Sequence, residues 1–353
     1  MRILAIETSC DETSISLLDA EGGLRDPRFK IRKNLVASQI AVHAPFGGVV
    51  PNLAKREHIK NLPEVWGKIK KHVGEIDFIA VTVGPGLEPA LWPGISFAEE
   101  LAEKLWKPLL GVNHLEGHLY SFLASQKAVN SKSEILNSKR KKKGLELRNW
   151  DLVFPAVALV VSGGHTILLL VNSLTKWKKL GETRDDAAGE AFDKVAKIMK
   201  LPYPGGPVIE KLAKRGNTRA INFPRPMLNQ KNYEFSFSGL KTSVLYYVRD
   251  HGLAGKKDIA ASFQQAVLDV LVGKTIRAVR EFGAKSVMLS GGVAANQALR
   301  EMLNAECGKW NVNFFTPPAS LNTDNAAMIG MAGYIRFLQK KKLRLVAQPN
   351  LSL

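Results

Sequence analysis

Two histidines four residues apart, His114-Leu-Glu-Gly-His118, carry the most specific chemistry in this 353-residue chain. On a helix, the i, i+4 spacing stacks both imidazoles on one face, close enough for one metal ion to bridge them. A zinc protease of the HExxH type needs glutamate at residue 115, which is leucine. The inverted HxxEH type needs it at residue 117, which is glycine. The pair therefore reads as a metal site without a protease base and in need of a third ligand; an incidental pairing of two histidines is the alternative. Asp324, in Asn322-Thr-Asp-Asn325 at the start of an apolar helical stretch, is the candidate third ligand. His58 and His165 stand alone, and each reads as structural or as a hydrogen-bond donor.

Anion-binding turns are the second feature. No GxxxxGKS or GxxxxGKT loop occurs, which excludes a P-loop NTPase. Gly84-Pro-Gly86-Leu-Glu-Pro89 has proline where a dinucleotide fingerprint needs its third glycine for close helix packing. Two apolar runs do end in Gly-Gly, at Gly163-Gly164 and at Gly291-Gly292. Successive N–H groups there can converge on an anion, or the turns are plain hairpin connections. A further pair, Gly205-Gly206, follows Asp185, Asp186, Glu190 and Asp193, four carboxylates within nine residues. Glu190 and Asp193 share a helix face. Ribose hydroxyl recognition is one reading of these acids; a helix cap and an ion pair with Lys194 is the other. Hydrolase signatures are poor. There is no GxSxG elbow, and Ser238-Gly-Leu-Lys241 matches SxxK without the SDN and KTG partners.

The elements that must position these groups follow a repeated pattern. Strand Ile3 to Glu7, a turn from Thr8 to Thr13 and strand Ile15 to Leu18 make one strand-turn-strand opening. Ala156 to Val161, the turn Ser162 to Thr166, and Ile167 to Val171 make a second. A third apolar run, Ser286 to Ser290, leads into a helix over Val293 to Arg300. Helical spacing also covers Asp258 to Glu281 and Ala326 to Leu338, the latter with Asp324 or Thr323 placed to cap it. Asn217 to Asn232, with Pro224 and Pro226, reads as a loop. Two similar α/β halves are expected, joined by a polar, basic linker from Lys127 to Trp150.

Composition narrows the class. Hydrophobic residues are 45% and charged residues 23%, which excludes disorder and coiled coil as whole-chain readings. No run of 18 apolar residues occurs, so no membrane span or membrane partner is expected. The acidic opening MRILAIETSCDETS is unlike a signal peptide, and Cys10 and Cys307 lack CxxC spacing, so the cytoplasm is the expected compartment. Lys+Arg 50 against Asp+Glu 32 gives a net charge of +18. Eight basic and two acidic residues fall between Lys127 and Arg148, and five basic and no acidic ones between Arg336 and Arg344. Singly these runs read as a solvated linker and tail; on so basic a chain they favour a polyanion such as nucleic acid.

The ordered set of segments closely resembles the TsaD family of tRNA adenosine threonylcarbamoyltransferases. It comprises Ile6-Glu-Thr-Ser-Cys-Asp-Glu-Thr13, Gly47-Gly-Val-Val-Pro51, Gly84-Pro-Gly-Leu87, His114-Leu-Glu-Gly-His118 and Val161-Ser-Gly-Gly-His-Thr166. It continues through Asp185 to Lys194, Tyr203-Pro-Gly-Gly206, Phe235-Ser-Phe-Ser-Gly-Leu-Lys-Thr242, Ser290-Gly-Gly-Val-Ala-Ala-Asn296 and Thr323-Asp-Asn-Ala326. The resemblance implies a two-lobed α/β fold of the actin-like, sugar-kinase-like (ASKHA) class with duplicated ribonuclease-H-like halves. The expected lobes are an N-terminal one over 1–126, a basic linker or insertion over 127–150, and a C-terminal nucleotide-binding one over 151–323. A final helix over 324–340 is expected to pack back on the first lobe.

The resemblance also implies a reaction: threonylcarbamoyl-adenylate gives its threonylcarbamoyl group to N6 of the adenosine at position 37 of tRNAs reading codons that start with adenine, and AMP leaves. The family's metal ligands map onto His114, His118 and Asp324, and its ligand-binding positions onto Val160, Val161, Ser162, Gly163, Gly164, Asp193, Gly206, Glu210 and Asn296. His-His-Asp suits iron or zinc; the resemblance points to iron(II), one per subunit. It further implies tRNA and threonylcarbamoyl-adenylate as partners, together with accessory proteins of the TsaB and TsaE type or a homodimer.

An exocyclic amine is a poor nucleophile, so the acyl carbon must be polarised and the amine held in place. An adenylate is already activated, which fits the missing catalytic serine or cysteine. Glu12 and His165 are the candidates for taking the amine proton, with nothing to choose between them. The chain departs from the family in carrying Glu88-Pro89 and Trp92-Pro93 after the Gly84 turn, where small residues are usual. Two competing readings are a metalloprotease, a label the family once carried, and an ATP-binding scaffold, which would use acidic residues with magnesium in place of two histidines.

Overall fold

The structure, a computed structural model, describes residues 1–124 and 153–353. The basic linker expected over 127–150 lies outside the described residues. In chain order the strands are β1 (Arg2–Glu7), β2 (Glu12–Glu21), β3 (Arg28–Ser38), β4 (Phe78–Gly84), β5 (Leu109–Asn113), β6 (Ala156–Val161), β7 (Thr166–Ser173), β8 (Lys176–Glu182), β9 (Ser286–Ser290) and β10 (Asn313–Phe315). The main helices are α1 (Pro51–Ile69), α2 (Glu88–Leu105), α3 (His114–Tyr120), α4 (Ala188–Ile198), α5 (Gly205–Ala213), α6 (Ser238–His251), α7 (Lys256–Phe282), α8 (Gln297–Lys309) and α9 (Ala326–Leu338). Contacts divide the chain into two units, Met1–Ala124 with Pro318–Leu353, and Ser125–Pro317.

In the first unit a five-stranded sheet has the order β3-β2-β1-β4-β5. β1 pairs antiparallel with β2 and parallel with β4, so it is hydrogen-bonded on both edges. Its faces are covered too. Leu4 and Ile6 join Leu62, Ile69, Leu91 and Ile95 of α1 and α2 in one apolar cluster, while α9 packs on the opposite face of the sheet. A strand covered on both faces reads as a continuous apolar run, which is what Ile3 to Ile6 shows. α9 lies close to the sheet because two of its residues lack side chains: a Cβ on Gly330 would fall 2.2 Å from Leu18, and one on Gly333 would fall 2.9 Å from the Cβ of Ala80. Phe337 stacks on Phe78 with ring centroids 5.2 Å apart. β3, by contrast, is a largely exposed edge strand rich in Lys and Arg, a composition that discourages pairing with another chain.

The second unit repeats the topology. Its sheet order, β10-β9-β6-β7-β8, corresponds strand for strand to β5-β4-β1-β2-β3, with the same antiparallel and parallel pairings. The two expected strand-turn-strand openings are thus the central strands of two equivalent α/β sheets. The core of this unit is built around Phe192, Phe235, Phe237 and Phe263, with Phe192 and Phe263 edge to face at 5.2 Å. α7 supplies a long buried face and stops at Gly283, which adopts φ +59° at the helix end.

Three local expectations are corrected. The cap of α9 is neither Asp324 nor Thr323 but Asn325, whose side chain accepts from the Met328 N–H, so Asp324 is turned to other use. The helix expected from Val293 begins as a 3-10 turn, Gly292–Ala295, and becomes α8 only after Asn296. β2 begins at Glu12, shortening the preceding turn to Thr8–Asp11. Among the described residues no helix is long and apolar enough to cross a membrane.

Candidate metal centre and phosphate-binding turns

β5 ends at Asn113, whose side chain accepts from the N–H groups of Leu115 and Glu116 and starts α3 with the histidine at its first position. His114 and His118 then lie on one helix face, with ring centroids 4.7 Å apart and planes at 84°. Both are buried. Asp324, just ahead of α9, brings Oδ1 to 3.0 Å from His118 Nε2 and 3.5 Å from His114 Nε2. One ligand atom from each of the three lies within 4.8 Å of the others, close enough for all to reach one ion. Although the side chain is fully buried, the only polar group facing His118 Nε2 among the described residues is the Asp324 carboxylate. Two imidazole nitrogens converging on one carboxylate oxygen form a donor set that fits a divalent transition metal.

The surroundings of the cluster are acidic. Burial opposes charge on His114, but Asp324 and Glu7 outweigh it and lift the imidazole pKa to about 9 in the metal-free protein. Burial likewise opposes the charge on Glu7, yet the neighbouring His114 holds that carboxyl below its ordinary value. Glu12, at the start of β2, is pushed well above the carboxylate range by burial, then by Asp324 and Asp11. Burial and the same acids push the Cys10 thiol up. His58 proves structural: it is buried, with Nδ1 2.8 Å from Thr13 Oγ1 and Nε2 3.0 Å from the Cys10 carbonyl.

The second unit gathers the residues expected to bind the adenylate into one circuit. Val160 and Val161 end β6, and the turn Ser162–His165 closes on itself through Ser162 N–H to the His165 carbonyl at 2.8 Å. Gly163 and Gly164 are exposed at its tip. The Ser162 carbonyl accepts from the Gly189 N–H of α4 at 3.2 Å. From the same helix Asp193 accepts the Gly205 N–H at 2.7 Å, which seats the start of α5 and its second residue, Gly206. Glu210, one turn on, accepts the Gln297 N–H of α8 at 3.0 Å. Asn296 caps α8 through the Leu299 N–H and donates to Gln264 of α7 at 2.8 Å. Gly291 returns the circuit to β6, its backbone lying against the Val161 carbonyl.

The acidic cluster divides between its two readings. Lys194 pairs with Asp186 at 2.6 Å and Glu190 at 2.9 Å, while Asp185 accepts from Ser236, Phe237 and Ser238. His165 contributes backbone atoms to the turn. Glu88 and Pro89 open α2, with Pro93 buried one turn further in.

Sequence reasoning passed over three residues of the first unit. Glu7 contacts His114, and Glu116 and Arg336 form a buried ion pair between α3 and α9. A charged residue closing the apolar strand Ile3 to Ile6 was the available signal for Glu7. No sequence signal pairs residues 220 positions apart.

Comparison with known proteins places the whole chain among relatives. The family model described as tRNA N6-adenosine threonylcarbamoyltransferase (TsaD) matches residues 30–132 and 143–331. The Thermosipho melanesiensis protein of that name is 46% identical over 357 residues, covering 100% of both chains. Its Moorella thermoacetica counterpart is 47% identical over 362 residues, covering 99% of this chain and 97% of its own. Among solved structures, full-length HypF in its phosphate- and nucleotide-bound form aligns with a TM-score of 0.56 at 13% identity, over 96% of this chain and 47% of HypF. The Acidaminococcus fermentans (R)-2-hydroxyglutaryl-CoA dehydratase component A aligns at 0.50 and 14%, over 96% of this chain and 98% of its own. At such identities these structures speak for the fold alone, the actin-like α/β class. With the family model matched across both units and close to half of all residues shared with full-length relatives, the chain belongs to the tRNA N6-adenosine threonylcarbamoyltransferase family.

Proposed function

We propose that this chain performs its family's reaction with a metal ion held by His114, His118 and Asp324, one iron(II) per subunit. In this reading it moves the threonylcarbamoyl group from threonylcarbamoyl-adenylate to N6 of an adenosine in tRNA. The bond from the carbamoyl carbon to the bridging phosphate oxygen breaks, a carbon–nitrogen bond forms, AMP departs with that oxygen, and the amine's proton is released to solvent. The observation that carries the metal reading is the convergence of the buried His114 and His118 Nε2 atoms on one Asp324 carboxylate oxygen, at 3.5 and 3.0 Å. Bound there, the ion would act as a Lewis acid and template for the donor's oxygens.

The remaining roles fall to the chain's own groups. N–H groups of Gly163 and Gly164 bind the adenylate phosphate where the exposed turn leaves room for it. Asp193 and Glu210, which seat the starts of neighbouring helices, are ionised acceptors of the kind that take ribose hydroxyls. The net charge of +18 supports binding of tRNA through its phosphates. The same reading places the chain in the cytoplasm, in an assembly with accessory proteins of the TsaB and TsaE type; sedimentation of the purified chain alone would reveal a homodimer instead.

A metalloprotease reading lacks its base. Residues 115 and 117 are leucine and glycine, and Glu116 is taken up in two 2.8 Å contacts with Arg336. The deciding experiment combines the protein with iron(II), synthetic threonylcarbamoyl-adenylate, unmodified tRNA reading codons that start with adenine, and the accessory proteins. Its readout is nucleoside mass spectrometry. Modified adenosine that disappears with His114→Ala and Asp324→Ala is the expected result; no product despite intact adenylate binding would favour a nucleotide-binding scaffold.

A further inference from the structure

Glu7 closes β1 inside the protein with none of its surface exposed. A buried carboxylate needs partners, and this one is surrounded by donors. Its Oε1 accepts from the Ser9 N–H at 2.5 Å. Its Oε2 accepts from Thr82 Oγ1 at 2.6 Å and lies 3.1 Å from His114 Nδ1. Ser9 Oγ is also 3.1 Å from Nδ1. An acceptor-only carboxylate facing Nδ1 requires the hydrogen to sit on that nitrogen. The opposite nitrogen, Nε2, is the one directed at Asp324 Oδ1.

We propose that Glu7 is a positioning residue of the metal centre. It holds the His114 ring in the orientation and tautomer that offer the Nε2 lone pair to the ion. The backbone makes the arrangement stiff, because Glu7 sits in β1, Thr82 in the adjacent parallel strand β4, and Ser9 in the turn that follows β1. A metal-bound histidine whose other nitrogen donates to a carboxylate has its ring fixed and its basicity raised. The inference rests on the metal reading of His114, His118 and Asp324. A purely structural role is the competing explanation, in which Glu7 only ties the Thr8–Asp11 turn to β4.

Glu7→Gln separates the two. The isosteric amide still fills the site and keeps an oxygen for the Ser9 N–H. It then turns an NH₂ group toward Nδ1, where a donor replaces the acceptor and reverses the tautomer. Cobalt(II) titration of the full chain, followed by its d–d absorption, reads affinity and ligand field without reference to turnover. The parent should bind one cobalt per chain. Glu7→Gln should remain folded by circular dichroism and bind about 10–100-fold more weakly with shifted bands, and Glu7→Asp should recover part of the loss. A folded Glu7→Gln protein with the parent's affinity and spectrum overturns the proposal. Should that variant not fold, Thr82→Val decides, since it removes the hydroxyl that fixes Oε2. A weakened site with shifted bands supports the proposal, and parental affinity and bands overturn it. A parent that binds no cobalt, like His118→Ala run alongside, refutes the metal reading itself.

Discussion

Arg336 of α9 places one guanidinium nitrogen 2.8 Å from each carboxylate oxygen of Glu116 in α3, and both side chains are buried. This ion pair joins the helix that carries His114 and His118 to the helix that follows Asp324. Arg336→Met would leave the Glu116 charge buried without its partner, at a cost of about 3–5 kcal/mol. Replacing both, as Glu116→Leu with Arg336→Met, should recover most of that loss, because the desolvation of two charges is then avoided as well. Urea unfolding of the two variants and the parent measures the difference.

Metal binding should stabilise the folded chain by mass action, raising the thermal midpoint as free metal exceeds its dissociation constant. His118→Ala should abolish that rise, whatever its midpoint without metal, because it removes one of the three ligands. A variant whose midpoint still climbs with iron(II) or cobalt(II) would contradict the assignment.

Asp185 gives a pH prediction for the second unit. Burial raises its pKa, but the Ser236 and Ser238 hydroxyls and the Phe237 and Ser238 N–H groups outweigh that and hold it below the ordinary carboxylate value. A lowered folded-state pKa contributes stability that is fully present above the unfolded value near ~3.9. That stability is lost as pH falls through the lower folded value. Asp185→Asn should therefore destabilise the protein at neutral pH and flatten the stability profile below about pH 4. Denaturant melts at several acid pH values provide the check.

Gly291 lies at φ +91°, and a Cβ there would fall 2.3 Å from the Val161 carbonyl oxygen. Gly291→Ala combines the strain of a positive-φ, extended-ψ backbone that is essentially restricted to glycine, about 1–3 kcal/mol, with a clash against a strand that cannot easily give way. It should displace the end of β6 and weaken adenylate binding, measured by calorimetry, more than Gly292→Ala, whose Cβ meets open space.

Deleting 127–150 removes eight basic and two acidic residues. Binding of tRNA should weaken, and the slope of log affinity against log salt should become shallower, as fewer phosphates are neutralised. Adenylate affinity should stay as it is. Unchanged tRNA affinity would assign this charge to another purpose.

The sequence by itself determined the elements with strong local signals. β1 and β6 announced themselves as apolar runs because both faces of each are covered. α3 was legible because its two histidines fall on one helix face, and the repeated strand-turn-strand pattern foretold duplicated sheets. The edge strands β3 and β8 escaped notice because a half-exposed basic strand has no apolar run to mark it. Only tertiary structure decided which polar groups meet. Asp324 faces the histidines because the adjacent Asn325, with the same capping chemistry, takes the helix cap. Asp193 seats α5 while its neighbours Asp186 and Glu190 take Lys194. Glu7, an acid at the end of an apolar strand, acquires its meaning from His114, 107 residues away. Strand and helix periodicity is a property of neighbouring residues, whereas partnership among buried charges is set by where the folded backbone brings them, and local sequence holds no record of that distance.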